Sequence, residues 1–475
     1  MMRYVLALDL GASSGRAMLA GYDGKTITLQ EVHRFSNDPI VRDGRLYWNI
    51  PQLMKEIEQE MQEAYAIAPY ESVAVDTWGV DYGMLKADGT LLELPRHYRD
   101  SRTNGILEKV SDVLSPEELY RRTGTQVMEI NTLFQLICQR DSGGFDACDK
   151  ILLMPDLFAY LLTGTISAER SIASTTQMLS AKTGTWDTAL LELFHIPSRI
   201  LPKIVESGSD KGTLSSEMQK KLGLPAIRVT AVCGHDTQCA AFAAPAKTAQ
   251  HIFLSCGTWS LFGTELAQPV LSEQAASLAL SNEVGYEKCV TFLKNIIGLW
   301  LLQESRREYA RQGQAYSFAE IESMARLSHE PSGIIDPDDP VFVPPGDIPG
   351  RIQAYCRKTG QHVPETPGAV FRCIYESLAR KYQKALEELE TCTGETYPVI
   401  HIMGGGVKDS LLCQMTADFC QRLVIAGPVE ATVYGNAAIQ FLTLGAIASS
   451  KAAHDCIAAS ETIQKYHPGV FPGVN

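Results

Sequence analysis

Gly-containing turns follow strand-like apolar runs at four widely separated places in this chain of 475 residues. The turns are DLGASSGR at 9–16, CGHDT at 233–237, SCGTWS at 255–260 and GGG at 404–406. Because glycine has no Cβ, such turns let the backbone approach a bound group closely. We therefore expect a fold in which several strands, distant in the sequence, each end in a binding turn.

The second turn contains an acidic residue, Asp236, and follows the apolar run 227–232. A carboxylate at the end of a strand can accept a proton from a substrate hydroxyl. The third turn follows the run 251–254, and its backbone N–H groups and hydroxyls can bind phosphate. Together the two turns indicate phosphoryl transfer to an alcohol.

The N-terminal turn lies between two predicted strands, Tyr4–Leu8 and Ala17–Ala20. Asp9 ends the first strand, where a carboxylate can hold Mg²⁺ directly or through water. The residues that follow supply flexible backbone and phosphate donors, namely Gly11, Ser13, Ser14, Gly15 and Arg16. The competing interpretation is an ordinary hairpin with Asp and Gly in its turn.

Three consecutive glycines at 404–406 stand between a predicted strand and a predicted helix. The helix is indicated by the spacing of apolar residues at Leu411, Leu412, Met415 and Phe419. Such a run loses much backbone entropy on folding, so it is expected only where a group must lie flat against the backbone. A nucleotide is such a group. No Gly-Lys-Ser/Thr follows, and the first strand carries no GxGxxG, so a P-loop and a nicotinamide cofactor are disfavoured.

These turns resemble the ATPase architecture shared by actin, hexokinase and the sugar kinases, and more closely the FGGY carbohydrate kinases. The motifs that carry the resemblance occur in the family's order over nearly the whole chain: DLGASSGR at 9–16, VDTWGVDYG at 75–83, YRDSRT at 98–103, LLMPD at 152–156, GHDT at 234–237, SCGTWS at 255–260, KNIIGLWLLQ at 294–303, HIMGGGVKDSLL at 401–412 and IAGPVEATVYGN at 425–436. The resemblance implies an α/β protein with a two-domain actin/hexokinase-like (ribonuclease H-like) ATPase fold and an ATP/sugar cleft between the domains. We place an N-terminal sugar and phosphate domain at 1–243 and a C-terminal nucleotide domain at 244–475.

The resemblance also implies an activity, the ATP-dependent phosphorylation of L-rhamnulose at its 1-hydroxyl with Mg²⁺ as the metal. GHDT and DTWGVD favour this substrate. A related kinase acting on xylulose, fuculose or glycerol is the first alternative. A non-catalytic protein of the same fold, either a sugar sensor or a filament-forming relative of actin, is the second.

Matching positions assign residue roles. The resemblance implies Asp236 as general base; Gly79, His235, Thr237 and Asn295 beside the sugar; Ala12, Ser13, Ser14, Gly15, Arg16, Thr258, Gln303 and Gly405 at ATP; and Asp9 at Mg²⁺. A structural role for His235 is the competing interpretation. Trp78 suits a sugar face or a protein core equally well. Asp76 and Asp81 are candidate polar contacts that solvation would also explain.

Composition restricts the partners. A net charge of −13 argues against nucleic acid and anionic membranes. No apolar run reaches the roughly 20 residues that span a bilayer, and an acidic residue interrupts the short apolar run at the N-terminus, unlike a signal peptide. We expect a cytoplasmic monomer or small homo-oligomer.

The twelve cysteines show no CxxC pair and no zinc spacing, so buried, reduced thiols are expected. The family resemblance implies that Cys356 and Cys373 can be bridged.

Periodicity and turn signals predict further elements. The predicted strands are 26–35, 72–76, 251–254 and 260–264, and the predicted helices are 50–68, 131–140, 155–164, 295–313 and 367–394. An Ala-rich joint is expected at 240–250 and an ordered surface excursion at 331–350.

Overall fold

Strand Arg3–Leu10 forms the centre of the first sheet in the computed structural model, which describes residues 2–248, 250–329 and 331–469. The strand pairs antiparallel with Ser14–Tyr22 and parallel with Ser72–Thr77. The sheet has six strands in the order Asp210–Thr213, Arg228–Thr230, Ser72–Thr77, Arg3–Leu10, Ser14–Tyr22 and Ile27–Ser36. Its registers place Asp9 beside Asp76 on one side and Arg16 on the other.

This sheet belongs to the first of two units, which comprises Met1–Pro245, Leu266–Phe292 and Ala431–Ser460. Two segments of the second half of the chain therefore complete the first unit. The predicted division at residue 243 follows the chain linearly and does not anticipate that return.

Helices of the first unit pack on the sheet through apolar faces. Helix Ile50–Ile67 begins with Asn49 as its N-cap and Pro51 in its first turn, and it buries Leu53, Ile57 and Met61. The other helices are Ile106–Ser111, Pro116–Thr123, Thr132–Ser142, Met154–Thr163, Arg170–Ser174, Thr188–Leu193, Ser216–Leu222, Asp236–Phe242, Glu273–Ser277, Ala431–Thr443 and Ser450–Ser460. Short strands lie at Ile40–Arg42, Arg45–Tyr47, Tyr82–Leu85, Lys150–Leu153, Ala168–Glu169, Ile204–Val205 and Leu280–Val284.

The second unit comprises Ala246–Glu265, Leu293–Glu430 and Glu461–Asn475. Its strands belong to a seven-stranded sheet, in which they follow the order Val290–Ile297, Trp259–Leu266, Ile252–Cys256, Val399–Met403, Leu423–Ala426 and Gln464–Tyr466. Its helices are Trp300–Arg311, Phe318–Leu327, Ile348–Lys358, Pro367–Thr393 and Ser410–Cys420. The longest, Pro367–Thr393, buries Tyr375 and Tyr382 and ends at Gly394, which adopts the left-handed conformation.

Most of the predicted elements are confirmed, including the helices at 50–68, 131–140, 155–164 and 367–394. The helix predicted at 295–313 is wrong in its first turn, because Val290–Ile297 is a strand and the helix begins at Trp300. Ile296 and Ile297 are β-branched and favour the strand. Gly298 then packs so closely that a Cβ there would lie 2.4 Å from Ser260 Oγ.

The cysteine bridge that the resemblance implies is not formed. Cys356 and Cys373 are both buried free thiols. Among the helices that the structure describes, none is long and apolar enough to cross a membrane.

Candidate active site

Asp236 is the first residue of helix Asp236–Phe242, with His235 at the N-cap position, so it lies at a helix start and not in the predicted turn. The preceding strand is also shorter than predicted, Arg228–Thr230. The Oδ1 of Asp236 accepts hydrogen bonds from Thr237 N at 2.6 Å and Thr237 Oγ1 at 3.2 Å. The Asp236 side chain is 29% exposed, so a substrate hydroxyl can reach it.

Gly234 holds the turn before this helix against buried neighbours. Its N–H donates to Glu169 Oε2 at 2.8 Å, and its carbonyl accepts from Thr77 N at 2.9 Å. A Cβ at Gly234 would lie 2.9 Å from Pro155 Cγ and 3.0 Å from Glu169 Oε2. The backbone that leads into the predicted base is therefore fixed, and the space beside it is filled.

Glu169 is a buried carboxylate with a full set of donors. It accepts from Ser171 N at 2.9 Å, Ser171 Oγ at 2.6 Å and Ser207 Oγ at 2.6 Å. Its own N–H donates to Asp156 Oδ1 at 3.0 Å, and Lys211 Nζ donates to the same oxygen at 2.6 Å. Buried charges need such partners, because removing one leaves an uncompensated charge.

Glu169 and Lys211 were not predicted from the sequence. Asp156 ends the LLMPD motif, yet neither of its partners has a spacing that marks it in the sequence.

Burial and neighbouring charges have opposing effects on the pKa values of Asp236 and His235. Burial raises the pKa of Asp236, the nearby Asp9 adds to the rise, and His235 counteracts it. Burial alone would lower the pKa of His235, but Glu283, with Asp236, raises it above its ordinary value.

The N-terminal turn brings Asp9 and Arg16 together. The guanidinium of Arg16 donates to Asp9 Oδ2 at 2.6 and 2.9 Å. The side chain of Asn37 donates to Gly11 O at 2.8 Å and closes the turn from outside. Ala12 and Ser14 are half-buried and Ser13 is exposed, so the turn is accessible to a phosphate.

Asp76 and Asp81, which the sequence allowed to be either polar contacts or solvated side chains, are both buried. Asp76 Oδ2 accepts from Asn436 Nδ2 at 2.6 Å, whereas its Oδ1 has no hydrogen-bond partner among the described residues. Burial and the neighbouring Asp9 raise its pKa well above the ordinary value. Burial raises the pKa of Asp81 to about 6, although Gln135, Trp48 and Trp78 donate to it.

Helix Ala431–Thr443 carries Asn436 and packs directly on the helix that begins with Asp236. A Cβ at Gly435 would lie 1.9 Å from the carbonyl oxygen of Cys239. The two backbones are therefore in contact at this point, and a side chain at 435 would displace the helix that bears the predicted base.

The turn at Gly79 is strained. Val80 has a φ of 65°, which is rare for a β-branched residue. Its N–H donates to Thr175 Oγ1 at 3.1 Å, and its carbonyl accepts from Thr132 Oγ1 at 2.6 Å. Trp78 is buried with its ring centroid 3.9 Å from that of Trp48, so it is a core residue here.

Three of the residues predicted at ATP, Thr258, Gln303 and Gly405, lie in the second unit, as does Asn295, which is predicted to bind the sugar. Thr258 Oγ1 donates to Gln303 Oε1 at 3.3 Å, which brings these two together. Asn295 lies half-buried on strand Val290–Ile297.

The three glycines differ in their surroundings. A Cβ at Gly406 would lie 2.3 Å from Cys256 Sγ, and one at Gly404 would lie 3.1 Å from Cys256 O. Gly405 is exposed, and the only atom near its Cβ position is Cys256 O at 3.9 Å. Only Gly405 has open space before it, as a nucleotide-facing position requires.

Comparison with known proteins gives consistent matches. The model of the FGGY family of carbohydrate kinases, N-terminal domain, matches residues 4–243, and that of the C-terminal domain matches 252–444. A rhamnulokinase of Bacteroides thetaiotaomicron is 39% identical over 98% of this chain and 96% of its own length, and one of Bacillus subtilis is 37% identical over 97% and 95%. Among solved structures, a ligand-bound xylulose kinase from Lactobacillus acidophilus superposes with a TM-score of 0.82 at 16% identity, covering 98% of this chain and 94% of its own. These matches confirm the predicted two-domain α/β fold.

Proposed function

We propose that this chain, which belongs to the FGGY family of carbohydrate kinases, transfers the γ-phosphoryl group of ATP to the 1-hydroxyl of L-rhamnulose. The products are L-rhamnulose 1-phosphate and ADP. Similarity to rhamnulokinases over nearly the full length of both chains supports this substrate. The observation that carries the reaction is Asp236, an accessible carboxylate at a helix start whose backbone is fixed by buried contacts.

Asp236 acts as the general base in this proposal. It accepts the proton of the 1-hydroxyl as that oxygen attacks the γ-phosphorus and ADP leaves. Gly79, His235, Thr237 and Asn295 bind the sugar. Because phosphoryl transfer needs little covalent work from the protein, orientation of the two substrates supplies most of the catalysis.

The phosphates of ATP bind to backbone and side-chain donors of Ala12–Arg16. Thr258, Gln303 and Gly405 of the second unit bind the nucleotide. The exposure of Ser13 and the open space at Gly405 support these assignments. The −13 net charge makes local donors necessary for an anionic nucleotide.

Asp9 fits a magnesium ion that is held mainly by substrate phosphates and water. The described residues contain no cluster of three His, Cys, Asp or Glu side chains that would form a complete ligand set. Mg²⁺ in kinases is commonly bound through one or two carboxylates plus phosphates, and Asp9 supplies one. The ion would neutralise phosphate charge, and Arg16 would exchange its contact with Asp9 for one with phosphate. Because ATP is supplied in the cytoplasm, we place the enzyme there.

A coupled assay of ADP release across a panel of L-rhamnulose, L-fuculose, D-xylulose and glycerol tests the proposal. We expect the highest kcat/KM with L-rhamnulose, and ³¹P NMR of the product should show a phosphomonoester at the 1-position. A higher kcat/KM for another substrate would reassign the enzyme within its family. If none of the four acceptors stimulated ADP release, the proposal would be overturned.

A further inference from the structure

Glu283 is a buried carboxylate, on strand Leu280–Val284 of the first unit, that contacts the predicted sugar-binding histidine. Its Oε2 lies 2.9 Å from His235 Nδ1 and also accepts a hydrogen bond from Gln238 Nε2 at 2.8 Å. Gln238 lies on the helix that begins with Asp236. One oxygen atom thus connects the residue before the predicted base with the first turn of the helix behind it.

Gln238 is itself held in one orientation. Its Oε1 accepts from Thr291 Oγ1 at 2.9 Å, so its NH₂ group is directed to Glu283. Glu283 therefore cannot turn away from His235 without losing a second buried hydrogen bond. Buried polar contacts of this kind are strongly directional, because each unmade bond leaves a desolvated group.

An ionised carboxylate only accepts hydrogen bonds, so it requires a proton on Nδ1 of His235. The opposite ring nitrogen, Nε2, then points away from Glu283 and lies 3.5 Å from Asp236 Oδ1. His235 N donates to Ser171 Oγ at 3.3 Å, which fixes the backbone as well. Ring and backbone are both held, and Nε2 is left facing the predicted base.

We propose that Glu283 is a positioning residue, which fixes the orientation and Nδ1 protonation of His235 so that Nε2 contacts the sugar beside the hydroxyl that Asp236 deprotonates. The inference rests on the proposed function, since it assigns His235 to the sugar. Glu283 touches no reacting atom and acts only through His235.

A purely structural role for Glu283, as a link between a strand and a helix, is the opposing interpretation. It predicts that loss of the carboxylate lowers stability and affects both substrates in parallel. A positioning role predicts a selective effect on the sugar, because the proposed function assigns His235 to the sugar and not to ATP.

The test compares Glu283→Gln, which keeps size and removes charge, with the wild type and with Asp187→Asn. Asp187 is a matched control, because it is a half-buried carboxylate of the same unit that pairs with Arg122 and caps a helix, without contacting His235. For Glu283→Gln we expect the KM for L-rhamnulose to rise about tenfold, with kcat and the KM for ATP changed less than about threefold. We expect Asp187→Asn to leave the KM for L-rhamnulose unchanged.

NMR of ¹⁵N-histidine-labelled protein gives a readout independent of activity. The signal of His235, assigned with His235→Gln, should show a protonated Nδ1 in the wild type. Glu283→Gln should lose that fixed state, since a glutamine can present either its oxygen or its NH₂ group to the ring.

Two outcomes overturn the inference. They are an unchanged Nδ1 state with an unchanged sugar KM in Glu283→Gln, and an equal rise of both KM values with a fall in melting temperature. Both are distinguishable from failure of the proposed function, in which the wild type itself would not phosphorylate L-rhamnulose.

Discussion

Two turns of this protein, Cys233–Thr237 in the first unit and Gly404–Gly406 in the second, are fixed in different ways. The first is held by charged and polar side chains, above all Glu169, which accepts the N–H of Gly234 and is surrounded by further donors. The second is held by close contact of its glycines with Cys256.

The difference matches what each turn must present. A general base needs a carboxylate with a defined position and charge, and buried hydrogen bonds supply both. A nucleotide needs a flat surface of backbone, which close packing supplies and side chains would obstruct. The first turn should therefore be sensitive to changes of charge at constant size, and the second to changes of volume.

The largest expected effect is at the base. Asp236→Asn keeps the size of the side chain but removes its capacity to accept the proton, so we expect kcat to fall by about 10²–10⁴-fold. The dissociation constant for L-rhamnulose, measured by calorimetry, should change much less. A variant with more than about half of wild-type kcat would show that charge at this turn is not required.

The next effect concerns volume in the glycine turn. Gly406→Ala places a Cβ 2.3 Å from Cys256 Sγ, and overpacking of this kind destabilises by about 1–3 kcal/mol. Denaturant unfolding should show the loss, and Gly405→Ala is the matched control, because its Cβ meets open space. Equal stability of the two variants would contradict the packing that distinguishes this turn.

A substitution at Gly405 tests nucleotide binding without a large change in packing. Because its Cβ direction is open, we expect Gly405→Val to keep its melting temperature and to raise the KM for ATP at least tenfold, equivalent to about 1.4 kcal/mol. L-Rhamnulose binding without nucleotide should be retained. Normal ATP affinity in a stable variant would remove Gly405 from the nucleotide site.

Glu60 shows what a buried carboxylate does without partners, in contrast to Glu169. It lies on helix Ile50–Ile67, and neither of its oxygens has a hydrogen-bond partner within the described part of the chain. Burial, with Glu56 and Glu63 nearby, raises its pKa to about 8. The folded-state pKa exceeds the unfolded value of 4.5. The contribution of protonated Glu60 to the free energy of unfolding is therefore fully present below pH 4.5 and is lost as the pH rises towards 8.

We therefore expect Glu60 to make the free energy of unfolding fall by about 1 kcal/mol per pH unit between about pH 5 and 8, and the Glu60→Gln variant to reduce the slope by that amount. Unfolding by urea at several pH values measures it. Parallel slopes for wild type and variant would assign the pH dependence to other groups.

Local patterns predicted the elements and turns whose signals lie within one short stretch of chain. The three glycines and helix Pro367–Thr393 are examples, because turn chemistry and periodicity are local properties. The sequence marks the run of three glycines as a binding turn. It does not show that, of the three, only Gly405 faces open space, because that depends on where Cys256 lies. The assignments of ligand-binding roles stay predictions.

Contacts between distant residues were not predictable. Glu169 meets Gly234 across 65 positions, and Glu283 meets His235 across 48, with no motif linking either pair. The first turn of the helix predicted at 295–313 failed for a similar reason. Pairing in the sheet and the close approach of Gly298 to Ser260 outweighed local helical periodicity.

The return of helix Ala431–Thr443 to the first unit has a consequence for biosynthesis. Asn436 and Gln440 satisfy buried groups of the first sheet, at Asp76 and at the Leu6 carbonyl, and Gly435 seats the helix that begins with Asp236. After residue 245 has been synthesised, the ribosome must add roughly 190 more residues before this helix exists. At ~5–20 residues per second this takes on the order of 10–40 s. Throughout that interval Asp76 lacks the amide of Asn436, its hydrogen-bond partner in the complete protein. The half of the protein that is synthesised first is thus completed only near the end of synthesis.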